Sequence, residues 1–154
     1  MTSGRLTVIA IVVATILFGL GVWWTQTRAY LFTVDLDELP LELADGSDLV
    51  VTPQGFEGLD ANSSPLRFRA CFALDQAAAD TLRAGGFAYE GATPLTTVGW
   101  FDCYDARAIG EALEAGEAEA FLGRRDIAPG IDRVLALYPN GQVYVWHQLN
   151  DTLE

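Results

Sequence analysis

The feature that most constrains this chain is an uncharged apolar run from Leu6 to Trp24. At a helical rise of about 1.5 Å per residue the run spans about 28 Å, close to the roughly 30 Å hydrocarbon core of a bilayer. Trp23 and Trp24 close the run, where an aromatic belt would lie at the membrane interface. A cleaved signal peptide has a shorter apolar region followed by small residues. The pattern therefore favours an uncleaved membrane anchor.

Basic residues beside the run give an orientation. Arg5 and the α-amino group precede it and only Arg28 follows it closely, so the positive-inside rule favours a cytoplasmic N-terminus. In a Gram-negative cell the remainder would lie in the periplasm and the anchor in the inner membrane. We therefore expect four regions: a cytoplasmic N-terminus (1–5), a transmembrane helix (6–24), a juxtamembrane segment with the first strand (25–35) and a periplasmic α+β domain (36–154).

Beyond the anchor the chain is strongly acidic. From residue 29 onward seven arginines face all 21 acidic residues, which gives this part a formal charge of −14. Such a surface repels nucleic acid and anionic lipid headgroups, so no nucleic-acid partner is expected. The chain contains no lysine and no phosphate-binding loop, so no nucleotide is expected either. A basic protein partner would suit this surface, although the same charge also serves plain solubility.

Apolar periodicity predicts an α+β fold, with a mixed or antiparallel sheet, two helices and a C-terminal β-hairpin. Asp75 and Asp105 are placed to cap the two helices, and Asn140-Gly141 is typical of a tight hairpin turn. The predicted strands cover residues 30–34, 49–52, 66–72, 133–138 and 142–149, and the predicted helices cover 76–83 and 106–115. The stretches 53–65 and 123–133 are predicted to be loops.

Cys71 and Cys103 are the only cysteines, and outside the cytoplasm two cysteines most simply form one disulfide. Buried free thiols and a redox or metal-binding pair are the alternatives. The spacing is not C-x-x-C, and no basic residue adjoins Cys103 to lower its pKa. His147 is the single histidine, and it would complete a three-ligand metal site with both cysteines. A hydrogen-bonded histidine in a strand is favoured instead, and no metal is expected.

No arrangement of residues typical of a catalytic site is apparent. The serines lack a G-x-S-x-G setting, so no catalytic residue and no cofactor are predicted. The arginines are the scarce cations and could contact a partner through bidentate bonds, or could instead pair with local acids. The residues predicted to contact a partner are Arg67, Arg69, Arg124, Arg125 and Trp146.

Three stretches read SSPLRFRACF (63–72), GWFDCYDARAIGEALEAGEAEAFLG (99–123) and GIDRVLALYPNGQVYVWHQLN (130–150). Together with the anchor they resemble an uncharacterised alphaproteobacterial family of single-pass membrane proteins that carries a domain of unknown function. Members of that family are sometimes labelled histidine kinases. The residues do not support a kinase here, because the only histidine lies on a predicted strand and no glycine-rich ATP lid is present.

Two functional hypotheses follow from the sequence. The first is a non-enzymatic accessory protein, anchored by one helix, that presents its acidic domain to an inner-membrane protein complex as a subunit or assembly factor. The second is a periplasmic thiol or metal chaperone that uses Cys71 and Cys103, with His147 as a third ligand.

Overall fold

The computed structural model describes residues 3–150 and 152. The chain divides into two compact units, residues 1–32 and 33–154. The first unit holds helix α1 (Ser3–Trp24), which continues as a π-helical turn (Thr25–Ala29). The helical stretch has a mean hydropathy of 2.5 and buries none of its residues, so it is long and apolar enough to cross a membrane. A signal sequence passes the same test.

The second unit is built on an antiparallel sheet. The six-stranded sheet has the order β1-β4-β5-β8-β7-β6, and a separate two-stranded sheet pairs β2 with β3. Two helices, α2 (Gln76–Gly85) and α3 (Ala106–Glu114), complete the predicted α+β fold. The strands are β1 (Leu31–Val34), β2 (Leu39–Glu42), β3 (Asp48–Val51), β4 (Gln54–Ala61), β5 (Arg69–Ala73), β6 (Glu119–Ala128), β7 (Ile131–Leu137) and β8 (Gln142–Leu149).

The predicted turn and cap residues are confirmed. The Asp75 carboxylate accepts the backbone N–H of Ala78 at 2.8 Å and begins α2. The Asp105 carboxylate accepts two backbone N–H groups of the first turn of α3. Gly141 has φ +86° in the turn between β7 and β8, and a Cβ there would lie 2.7 Å from the Leu74 carbonyl. This position therefore requires glycine on both conformational and steric grounds.

The large sheet has two covered faces, because successive side chains of a strand point in opposite directions. We call the first the α2 face. Its apolar side chains, such as Val145 and Phe72, belong to a core that also contains Leu82 of α2 and Leu41 of β2. We call the second the α3 face. It carries Tyr144, Trp146 and Cys71, and the chain leading into α3 covers it.

Two predicted loops are strands in the structure. Residues 54–61 form β4 and pair with β5, and β6 extends through the predicted loop to Ala128. Both strands are irregular, with register shifts that disturb the alternation of apolar and polar residues. In β6, Asp126 has φ +45° and donates its N–H to the buried Asp132 carboxylate. Polar residues in this strand therefore bond within the fold.

Two adjacent glycines at the end of α2 provide a test of the packing. A Cβ on Gly86 would collide with the Leu82 carbonyl and lie 2.8 Å from the Phe121 ring, whereas a Cβ on Gly85 meets only Leu43, at 3.7 Å. We expect Gly86→Ala to lower the free energy of unfolding by about 1–3 kcal/mol. Gly85→Ala should leave it unchanged or raise it by up to about 1 kcal/mol. Denaturant unfolding of the full chain in detergent measures both, and equal midpoints would contradict the packing described here.

Candidate functional site

Arg69 is the buried charge at the centre of the α3 face. Its side chain is only 4% exposed. Its guanidinium donates to the carbonyls of Leu66 and Phe68 beside it in the chain, at 2.8 and 2.6 Å. It also donates to the carbonyls of Leu95 and Thr96, at 2.8 and 3.1 Å. One side chain thus ties a distant loop to β5.

Backbone dipoles and an aromatic ring surround this charge. Burial lowers the pKa of Arg69, but an arginine keeps its proton in proteins. No carboxylate among the described residues forms an ion pair with Arg69. The Tyr104 ring centroid lies 5.8 Å from the guanidinium carbon, within reach of a cation–π contact. Burial raises the pKa of the Tyr104 phenol, so that group stays neutral beside the cation.

The predicted disulfide between Cys71 and Cys103 is present and gives the loop a second anchor. It joins β5 to the chain before α3 across 32 residues of sequence. Closing a loop of this length stabilises the folded state by about 3–4 kcal/mol in the chain-entropy account. Because Cys71 and Arg69 lie two residues apart on the same strand face, the covalent and hydrogen-bonded anchors act side by side.

Gln148 supplies a third anchor. Its side-chain oxygen accepts the Thr93 N–H at 2.8 Å and the Trp146 indole N–H at 2.9 Å, and its amide donates to the Gly91 carbonyl. Together with Arg69 and the disulfide, this side chain fixes residues 91–105, which we call the anchored segment. A loop held at three points presents its side chains in fixed positions, as a binding site requires.

The larger of two cavities beside the anchored segment lies against the ends of β1 and β4. We call it the β4 groove, and its volume is about 440 Å³. Its walls are aromatic and its rim is acidic. The aromatic residues are Phe56, Trp100 and Phe101, and the carboxylates are Asp35, Glu57 and Asp102.

Gly58 shapes the floor of the β4 groove. A Cβ at this position would lie 2.9 Å from the Val34 carbonyl and 2.6 Å from the Phe56 ring. Only glycine therefore lets Val34 and Phe56 approach β4 so closely. Phe56 is also fixed from behind, because its ring stacks on Phe72 of the core at 5.8 Å.

A second cavity lies on the other side of Phe101 and Asp102. We call it the Tyr104 cavity, and its volume is about 350 Å³. Its wall runs from residue 96 to Arg107, in the first turn of α3. The two cavities share Phe101 and Asp102, so the anchored segment separates two adjacent concave surfaces.

The structure does not bring the five predicted partner-binding residues together. Arg69 and Trp146 are buried on the α3 face and do not reach the surface. Arg124 pairs with Asp48 at 2.8 Å. Arg125 lies 4.0 Å from Glu42. Arg67 is half-buried in the short helical turn before β5. The pairing of Arg124 and Arg125 with local acids agrees with the alternative that the sequence left open.

Trp23 and Trp24 close α1, and the side chain of each is 57% exposed. They lie at the end of the apolar stretch, where the sequence places a membrane interface. Their contact with a bilayer stays a prediction.

His147 is a hydrogen-bonded histidine in β8. Arg133 donates to its Nε2 at 3.1 Å, and its Nδ1 lies 2.7 Å from the Pro65 carbonyl. These two contacts fit a neutral ring with the proton on Nδ1. The ring also stacks on Phe68 at 4.6 Å. Burial, the largest effect, lowers the pKa of His147 to about 4.

A metal site built from the histidine and the two cysteines does not form. His147 is on the α2 face, whereas Cys71 points to the α3 face, because Cys71 pairs with Tyr144. Among residues 3–150 and 152, no group of three histidine, cysteine or acidic side chains is placed to hold a metal ion. The three residues therefore cannot converge on one ion.

Sequence analysis missed the β4 groove because it predicted a loop over 53–65. Phe56 and Leu59 are the apolar side chains that could have indicated the strand. They lie three residues apart and on opposite faces, since Phe56 stacks on the core while Leu59 pairs with Arg69. A two-residue period does not connect them.

The protonation of His147 provides a test of the buried cluster. Its folded pKa of about 4 lies below its ordinary value of 6.5, so the unfolded state binds the proton first as the pH falls. Folding stability should therefore decrease between pH 6.5 and 4, by up to about 3 kcal/mol from this group. NMR titration of the single imidazole gives the midpoint, and His147→Gln should flatten the pH dependence. A midpoint near 6.5 would contradict the burial described here.

Comparison with known proteins identifies the family. The model of DUF6446, a family of unknown function, matches residues 40–154. No curated protein and no solved structure matches the chain. The matched range contains both cysteines, Arg69 and the anchored segment, and it covers most of the sequence. The chain therefore belongs to the DUF6446 family, whose function is unknown.

Proposed function

We propose that this protein is a membrane-anchored interaction protein that binds a basic segment of a protein partner in the β4 groove. It acts as an accessory subunit or assembly factor of an inner-membrane complex, with residues 1–5 in the cytoplasm and the second unit in the periplasm. The observation that carries the proposal is the composition of the groove, in which aromatic walls meet an acidic rim.

The chemistry of the β4 groove is complementary to arginine and lysine side chains. Asp35, Glu57 and Asp102 offer carboxylate oxygens, which accept charge-assisted hydrogen bonds from a guanidinium or ammonium group. The faces of Phe56 and Trp100 attract the same cations through the charge distribution of their rings. A cationic side chain can therefore meet both kinds of partner in one concave site.

The formal charge of −12 on the chain supports a basic partner. Exposed ion pairs are individually weak, at about 0.2–1 kcal/mol each, so several basic residues in one segment would be needed for useful affinity. The long-range field would also speed the encounter. Both effects weaken as salt screens the charges, so binding should be strongly dependent on ionic strength.

The membrane setting rests on α1 and on the resemblance given above. The helix has the length and hydropathy of a single span. An alphaproteobacterial source, as the resemblance implies, makes the inner membrane its location. The basic residues near the helix favour the orientation with the second unit outside the cytoplasm.

The alternative thiol or metal chaperone has less support from the geometry. Thiol exchange requires an accessible sulfur and a thiolate. Here Cys71 is buried at 4% exposure and bonded to Cys103, and His147 lies on the other face of the sheet. Thiol labelling with and without reductant separates the two hypotheses, because a chaperone would react readily under mild conditions.

The test of the proposed function neutralises the groove. The full chain, carrying Asp35→Asn, Glu57→Gln and Asp102→Asn, is compared with a control that carries Glu90→Gln, Glu114→Gln and Glu117→Gln. The control removes the same charge from exposed positions that do not line the β4 groove. The probe is a synthetic arginine- and lysine-rich peptide, and proteins that co-purify from native membranes are measured in parallel.

We expect the groove variant to bind the peptide about tenfold more weakly or worse, which corresponds to about 1.4 kcal/mol. It should also lose the co-purifying membrane proteins, whereas the control keeps both kinds of binding. Equal losses in the two variants would reduce the effect to net charge. Either that result or unchanged binding in the groove variant would overturn the proposal.

A further inference from the structure

The Tyr104 cavity contains two buried hydroxyl groups without a hydrogen-bond partner in the described part of the chain, those of Tyr104 and Thr97. Both residues line the cavity, and Tyr104 is 4% exposed. No other buried side-chain oxygen or nitrogen among the described residues is left unpaired. The two unpaired hydroxyls of this unit are therefore found in the wall of one cavity.

Such an arrangement is costly unless something else supplies the missing bonds. A buried polar group without a partner costs about 1–3 kcal/mol. Phenylalanine at position 104 would keep the ring contacts with Arg69 and Tyr144 and would avoid this cost. The contacts that fix the ring do not explain the hydroxyl, so its presence points to a bound molecule that provides hydrogen bonds.

The remaining groups of the cavity restrict the chemistry of that molecule. A hydroxyl both donates and accepts, so its best partner also does both. Asp102 and Asp105 line the same cavity and only accept, and their charge opposes an anion. The Arg107 side chain does not offset them there, because it is 86% exposed and lies 3.5 Å from Glu111. Phe101 adds an apolar surface.

We propose that the Tyr104 cavity is a binding site for a polyhydroxylated ligand, a monosaccharide unit or a linear polyol. The hydroxyls of Tyr104 and Thr97 would exchange hydrogen bonds with two ligand hydroxyls, and a carboxylate of Asp102 or Asp105 would accept from adjacent ones. The cavity volume of about 350 Å³ has the size of small-ligand sites in proteins. This site goes beyond the proposed function, since a basic segment in the β4 groove does not require it.

The experiment uses the full chain in nanodiscs and four probes. D-glucose and N-acetyl-D-glucosamine test the sugar ring, D-glucitol tests a linear polyol, and cyclohexanol provides a ring with a single hydroxyl. Binding is measured by calorimetry and by NMR shifts of residues 96–107. Tyr104→Phe and Thr97→Val remove only the two hydroxyls, and Tyr138→Phe is the control because Tyr138 does not line the cavity.

We expect at least one polyhydroxylated probe to bind at least about tenfold more tightly than cyclohexanol, a difference of about 1.4 kcal/mol. Tyr104→Phe and Thr97→Val should each weaken that binding, while the melting temperature without ligand stays the same or rises. Preference for a sugar or for glucitol distinguishes the two sources of the shared chemistry. Absence of binding by all three hydroxylated probes at 100 mM, or unchanged binding in both variants, would overturn the proposal. So would a lowered melting temperature in the Tyr104→Phe chain, since the hydroxyl would then serve the fold.

Discussion

A guanidinium removed from water must find acceptors, and Arg69 finds four of them in the carbonyls of two separate parts of the chain. This requirement couples β5 to the anchored segment more specifically than apolar packing could. The carbonyls of Leu95 and Thr96 gain their donor only when the segment lies in one position. The disulfide then limits how far the same segment can move away. The arrangement of the α3 face depends on both constraints.

The two concave surfaces follow from where the anchored segment is held. Phe101 and Asp102 lie just before the disulfide and line both the β4 groove and the Tyr104 cavity. One short stretch thus serves two sites of different chemistry, one acidic and aromatic and the other rich in hydroxyl groups. Movement of this stretch would alter both sites together. The Cys71–Cys103 disulfide therefore has a structural role that bears directly on binding, without any redox step.

Local signals in the sequence predicted local structure well. The helix caps at Asp75 and Asp105 and the turn at Gly141 depend on neighbouring residues, and the structure confirms them. The strands β4 and β6 were missed because their register shifts and their bonds to distant residues leave no simple period. Alternation placed Arg69 opposite the apolar side chains of β5, which is correct, but could not show that a second layer buries that face. The candidate sites depend on such long-range contacts, so the sequence alone did not reveal them.

The most direct test of this account is hydrogen exchange in the Arg69→Met variant of the full chain. Methionine fills similar space but leaves the carbonyls of Leu95 and Thr96 without their donor. Arg83→Met is the control, because Arg83 bonds Asp80, Glu119 and a backbone carbonyl nearer the surface. The account predicts faster exchange across residues 91–105 in Arg69→Met alone, with the protection of β7 and β8 retained. Unchanged exchange in the anchored segment would contradict the central role of Arg69.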